Sequence, residues 1–113
     1  MIKQSSSPDS AGFYTVATAD AILANQITLV HLDEQSIILT RWQGELLAFS
    51  SQCPHASADL AEGDLHRGCI TCPDHGYKFD IRSGRVLWPE DEVCRLKRYA
   101  VLEENGTIKV RLT

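Results

Sequence analysis

The stretch Cys53-Pro54-His55-Ala56-Ser57-Ala58-Asp59-Leu60-Ala61-Glu62-Gly63, followed by Cys72-Pro73-Asp74-His75-Gly76-Tyr77-Lys78-Phe79-Asp80, decides how this chain is read. Within it, Cys53-Pro54-His55 and Cys72-Pro73-Asp74-His75 each supply one thiol and one imidazole, with sixteen residues between them. Together they make a four-donor set of nitrogen and sulfur only. Neither segment owns more than half of that set, so a rigid frame must clamp both before any metal centre can form. The proline after each cysteine fixes the backbone there and removes a hydrogen-bond donor.

Mixed pairs of this kind suit a [2Fe–2S] centre in which two cysteines hold one iron and two histidines the other. Replacing two thiolates by neutral imidazoles leaves the oxidised centre formally neutral. Reduction then meets less repulsion, and the potential rises to about −150 to +300 mV, against about −400 mV for plant-type ferredoxins. Zinc accepts the same donors and is the alternative, as a structural metal domain without redox traffic. Structural zinc motifs, however, usually pair two cysteines in one knuckle and two histidines on a helix. Cys69-Ile70-Thr71-Cys72 is formally Cys-x-x-Cys, but a thiol–disulfide enzyme needs a strand–turn–helix around it, and a strand pattern runs through Ile70 instead. Cys72 is read as a ligand and Cys69 as an ordinary buried thiol.

On these residues the chain resembles the Rieske-type [2Fe–2S] ferredoxin family, specifically over residues 53–80 and more loosely over residues 13–112. The resemblance implies that Cys53, His55, Cys72 and His75 bind the cluster, with Leu60, Gly63, Gly76, Phe79 and Asp80 at supporting positions. It implies an all-β fold, an antiparallel sandwich with a small cluster-binding subdomain formed by the two ligand loops, at residues 51–82. The histidines would sit at the tip, and electrons would pass through the imidazole-ligated iron. It also implies a role: a one-electron carrier, not an enzyme, running from an NAD(P)H-dependent flavoprotein reductase to a terminal ring-hydroxylating dioxygenase. The small Rieske subunit of a nitrite reductase-like complex is the alternative within electron transfer. The loop around Trp88-Pro89-Glu90-Asp91 resembles the proline loop that covers the cluster in the family.

Two departures from the quinol-oxidising branch are informative. The places where that branch carries a second cysteine in each loop hold Ala58 and Asp74, so its disulfide cannot form, and Gly76 is followed by Tyr77 in place of a serine. Fewer donors to the cluster sulfurs leave the reduced state less stabilised, which points to a low potential.

The chain has 113 residues, which suits one domain, with no room for a second catalytic module. An oxygenase would also need a mononuclear iron site, typically two histidines and a carboxylate. Only His31 and His66 remain, each read as structural. Residues 1–12 are rich in Ser, Pro and Asp and are read as a flexible tail before a domain at 13–113. They hold no apolar run of the kind a signal peptide or membrane anchor needs. A net charge of −4 disfavours nucleic acid and anionic membranes. Cys69 and Cys94 are read as reduced, buried residues of a cytoplasmic protein.

Apolar runs between turn signals predict strands at Phe13–Val16, Ile27–Leu32, Ser36–Trp42, Leu46–Ser50, Cys69–Thr71, Tyr77–Ile81, Tyr99–Glu104 and Thr107–Arg111. Asn105-Gly106 suits a type I′ hairpin turn, and Gln43-Gly44-Glu45 and Arg82-Ser83-Gly84 are further turns. Thr18–Ala24 is the one predicted helical turn, capped by Thr18 or Asp20. Trp42 and Trp88 are read as packing residues and Arg95, Lys97 and Arg98 as a solvated strand face, while Glu90, Asp91 and Glu92 read equally as plain surface or as an acidic cluster that steers a basic docking surface.

Overall fold

A strand buried on both faces organises the molecule. In the computed structural model, which describes residues 2–4, 7–55 and 58–112, strand β4 (Gln35–Trp42) carries four consecutive buried residues, Ile37 to Thr40. Side chains alternate along a strand. Ile37 and Leu39 therefore enter one hydrophobic core and Ile38 the other. Its partner β5 (Glu45–Ser50) does the same, sending Ala48 to the first core and Leu47 and Phe49 to the second.

Each core is closed by another sheet. The central sheet runs in the order β1 (Ile2–Gln4), β3 (Thr28–Leu32), β4, β5. On its first face lies a three-stranded sheet, β10 (Ala100–Glu104), β11 (Thr107–Arg111) and β2 (Phe13–Thr18), which contributes Val16, Ile108 and Val110. On its second face lies a four-stranded meander, β6 (Asp64–His66), β7 (Cys69–Thr71), β8 (Lys78–Asp80) and β9 (Val86–Trp88), which contributes Ile70 and Phe79. All neighbours are antiparallel except β1, which pairs parallel to β3.

The fold is all-β, and the predicted strands recur with small boundary changes: β2 extends to Thr18, β8 begins at Lys78 and β10 at Ala100. The hairpin turn has Asn105 at φ 53° and Gly106 at φ 77°, the paired positive values that a type I′ turn requires. Three readings change. Ile2–Gln4, inside the stretch read as a tail, lies along β3, where an edge strand offers free backbone groups; Met1, Ser5 and Ser6 lie outside the described residues. The helical turn shrinks to a 3-10 turn at Ala19–Ala21, and Thr18 does not cap it because its hydroxyl donates to Asp20 Oδ1 at 2.7 Å. Arg95 and Arg98 are more than a solvated face. They donate to the carbonyls of Ser83 and Ile81 at 3.1 Å each and pin the 81–84 turn.

Candidate cluster site

Both ligand loops leave the second core and are closed in the same way. In the first, the Cys53 N–H donates to the Ala58 carbonyl at 3.0 Å; in the second, the Cys72 N–H donates to the Tyr77 carbonyl at 2.7 Å. In each case the bond spans five residues and pinches a neck at the cysteine. The thiols therefore face inward while the chain beyond them bulges out. Cys53 and Cys72 are each 1% exposed and belong to the second core, whereas His55 and His75 are exposed.

The necks are anchored further down. Ser51 donates its N–H to Ser36 O at 3.0 Å and accepts from Leu60 N at 2.6 Å, and Gln52 bridges Asp59. The Asp59 carboxylate accepts from Ala61 N at 2.9 Å and caps the 3-10 turn Leu60–Glu62, which drives Leu60 into the core beside the cysteines. In the second loop the Gly76 N–H returns to Cys72 O at 3.1 Å, and Gly76 holds φ +75°, a left-handed conformation that glycine adopts without strain. Ala56 and Ser57 of the first loop lie outside the described residues.

The two loops bring the imidazoles together. The His55 and His75 rings lie 5.2 Å apart, nearly perpendicular at 81°. Against the other face of this pair lies Tyr77, whose ring stacks on His55 at 3.8 Å with 12° between the planes. The Tyr77 hydroxyl donates to Glu92 Oε2 at 3.0 Å. Burial, then this hydrogen bond to a carboxylate, pushes the phenol above its ordinary range. Trp88 stands edge-on to Tyr77 at 6.4 Å. The segment after β9 thus leans on Tyr77, and Tyr77 leans on His55.

Among the described residues no three His, Cys, Asp or Glu side chains gather around one point. The donors form two pairs, thiols inside and imidazoles outside. The other two cysteines are unbridged thiols at half-buried positions, where burial pushes both above the ordinary value. His31 bonds Ser36 Oγ through Nδ1 at 2.9 Å within the central sheet, and His66 is exposed at the end of β6. Trp42 packs over Gly68. Tyr77 belongs to the site through its stack on His55, a contact between the two loops that the sequence pattern around His75-Gly76 does not signal.

The match to the family model of the Rieske [2Fe-2S] domain spans residues 12–106. The chain belongs to the Rieske [2Fe-2S] domain family. Its donor set, two thiols and two imidazoles in separate pairs, has the chemistry that a Rieske [2Fe–2S] cluster demands, and that cluster is its cofactor. This Rieske domain is 31% identical over 98 residues to the ferredoxin component of the naphthalene 1,2-dioxygenase system of Pseudomonas putida, covering 87% of this chain and 92% of that one. It is similar to the solved ferredoxin of carbazole 1,9a-dioxygenase from Nocardioides aromaticivorans, with 29% identity, a TM-score of 0.79 and coverage of 96% and 100%. It is also 28% identical over 104 residues to a cholesterol 7-desaturase of Hemicentrotus pulcherrimus, covering 84% of this chain. The Rieske chain spans only 22% of that desaturase, and 10% to 18% of three further animal relatives. Among the described residues no helix is long and apolar enough to cross a membrane.

Proposed function

We propose that Cys53 and Cys72 bind one iron and His55 and His75 the other, and that the chain is the one-electron carrier of a multicomponent ring-hydroxylating dioxygenase system. The observation that carries this reading is the pair of exposed imidazoles, 5.2 Å apart, above two fully buried cysteines. The cluster supplies a site that accepts and releases one electron at a time. The protein's part is to bury the cysteine side against Ile38, Phe49, Leu60, Ile70 and Phe79, and to leave the histidine side bare for a partner. The sheet β6–β9 and the loop before it act as the cluster-binding subdomain, reaching past residue 82 to Leu96.

The match to the naphthalene-system ferredoxin, which covers 92% of that protein, supports a carrier between a flavoprotein reductase and a terminal oxygenase, with no substrate of its own. Two dioxygenase ferredoxins matched over nearly their whole length favour this role over that of a nitrite reductase subunit. The second loop, Cys72 to Asp80, contains no serine or threonine hydroxyl that could donate to a cluster sulfide, which supports a potential in the lower part of the Rieske range. Trp88 and Val93 are 49% and 91% exposed beside the exposed carboxylates of Glu90 and Asp91, a surface suited to an apolar patch with a basic rim on the partner. The unbridged thiols of Cys69 and Cys94 fit a reducing, cytoplasmic compartment.

Iron and sulfide analysis with EPR before and after dithionite tests the ligand reading, with two irons per chain and a low-average-g signal on reduction expected. Stopped-flow mixing then tests the role. The reduced carrier should be reoxidised by a terminal ring-hydroxylating oxygenase; reoxidation by a nitrite reductase alone would overturn the dioxygenase assignment.

A further inference from the structure

We propose that Tyr77 is a positioning residue that fixes the plane of the His55 imidazole at the cluster. This rests on the reading of His55 as an iron ligand. An exposed imidazole on a loop has a free rotation about its Cβ–Cγ bond unless something packs against it, and that rotation changes how its nitrogen meets a metal. Here one face of the His55 ring is covered by a parallel aromatic ring at 3.8 Å and 12°. The covering ring is itself held from two sides. Its hydroxyl is anchored on Glu92 Oε2 at 3.0 Å, and the Trp88 ring meets it edge-on at 6.4 Å.

The arrangement crosses all three segments of the tip. His55 comes from the first loop, Tyr77 from the end of the second, and Trp88 and Glu92 from β9 and the turn that follows. The Tyr77 carbonyl also closes the neck at Cys72. One residue therefore links the backbone of a buried cysteine to the ring of an exposed histidine on the opposite loop. Stacking restricts the ring's orientation without using either nitrogen, so both remain available, one for a metal and one for solvent or a partner. Ligand orientation set from outside the first coordination sphere is a general way in which proteins tune metal centres.

The test is pulsed EPR on the reduced, iron-loaded protein with 15N-labelled histidine, comparing wild type with Tyr77→Phe, Tyr77→Leu and His55→Ala. Tyr77→Phe keeps the stack and should retain the wild-type pair of 15N couplings. Tyr77→Leu removes it and should shift and broaden one coupling while the other stays. Loss of the cluster from Tyr77→Leu but not from Tyr77→Phe would equally support a requirement for the ring. Unchanged couplings in Tyr77→Leu, or loss of the cluster from Tyr77→Phe, would overturn the proposal. If His55→Ala instead retains two histidine couplings, it is the ligand reading that falls, and the positioning role with it.

Discussion

Gly63 lies so close to the carbonyl of Thr71 that a β-carbon at position 63 would stand 2.0 Å from that oxygen. The contact joins the end of the first ligand loop to the strand that leads into the second. It is a backbone contact, so no side chain can swing away to relieve it. Gly63→Ala must push the two loops apart, and overpacking of this kind typically costs about 1–3 kcal/mol. The expected result is a fall in thermal midpoint together with slower or incomplete cluster loading. A variant with wild-type iron content and melting would show that the loops tolerate the separation.

Arg41 ties three parts of the central and first sheets. Its Nε donates to Ile22 O at 2.8 Å, and its Nη2 donates to Ala19 O at 3.0 Å and to Glu103 Oε1 at 3.0 Å. A lysine offers the charge without the planar fork. Arg41→Lys should therefore destabilise by about 1–2 kcal/mol in denaturant melts, given that a hydrogen bond involving a charged group contributes roughly 1.5–3 kcal/mol and lysine recovers part of it. The reduced-state EPR spectrum should stay unchanged, because Arg41 pairs with Leu46, at the opposite end of the β4–β5 ladder from Ser50, which leads into the first ligand loop.

Thr40 is fully buried on β4, and its Oγ1 has no hydrogen-bond partner among the described residues. A lone buried hydroxyl carries a desolvation cost of about 1–3 kcal/mol. Thr40→Val keeps the branched shape and removes that oxygen, and is expected to raise stability by about 1 kcal/mol. Equilibrium unfolding monitored by far-UV circular dichroism would reveal it; a loss of stability would mean that the hydroxyl is satisfied in solution.

Stability should decline at alkaline pH. Burial holds the Cys69 and Cys94 thiols above the ordinary 9.0, and burial likewise holds the Tyr99 phenol above 10.0. In the unfolded chain these groups lose their protons at ordinary values, while the folded protein still retains them. The unfolded state then binds fewer protons, so stability that is complete below about pH 9 is lost as pH rises through the folded values. Thermal midpoints of the oxidised protein should fall across that window, and less so in a Cys69→Ala/Cys94→Ala variant. An equal fall in both would put the effect on Tyr99 and other groups.

The sequence makes the larger strands legible because Ile37 to Leu39 and Leu47 to Phe49 are too apolar for anything but a buried strand, and Asn105-Gly106 dictates its own turn. The short strands β6 and β9 are different. Each has three residues, and Asp64 and His66 flank a single apolar residue in β6. The turn between β6 and β7 uses Arg67 at φ 51° with Gly68 at φ 76°. Arginine seldom signals a left-handed position, so its tertiary surroundings decide. The four residues proposed as donors, Cys53, His55, Cys72 and His75, stand out in the sequence by type and spacing. Tyr77 does not, because its contacts join segments that are distant along the chain, and no local pattern encodes a stack between two loops.

The donor assignment makes the sharpest prediction. His75→Ala removes one of two imidazoles from a loop whose neck, at Cys72, stays closed by its own backbone bond. The polypeptide should still fold, but the cluster should be lost or altered, because one iron would keep a single protein ligand. Cys69→Ser and Cys94→Ser should load iron normally, since both thiols are half-buried, held protonated by burial, and outside the two loop necks. Iron content and the visible spectrum of the three variants decide between them. If Cys69 or Cys94 proved essential for iron while His75 did not, the pairing of buried thiols with exposed imidazoles would not be the ligand set.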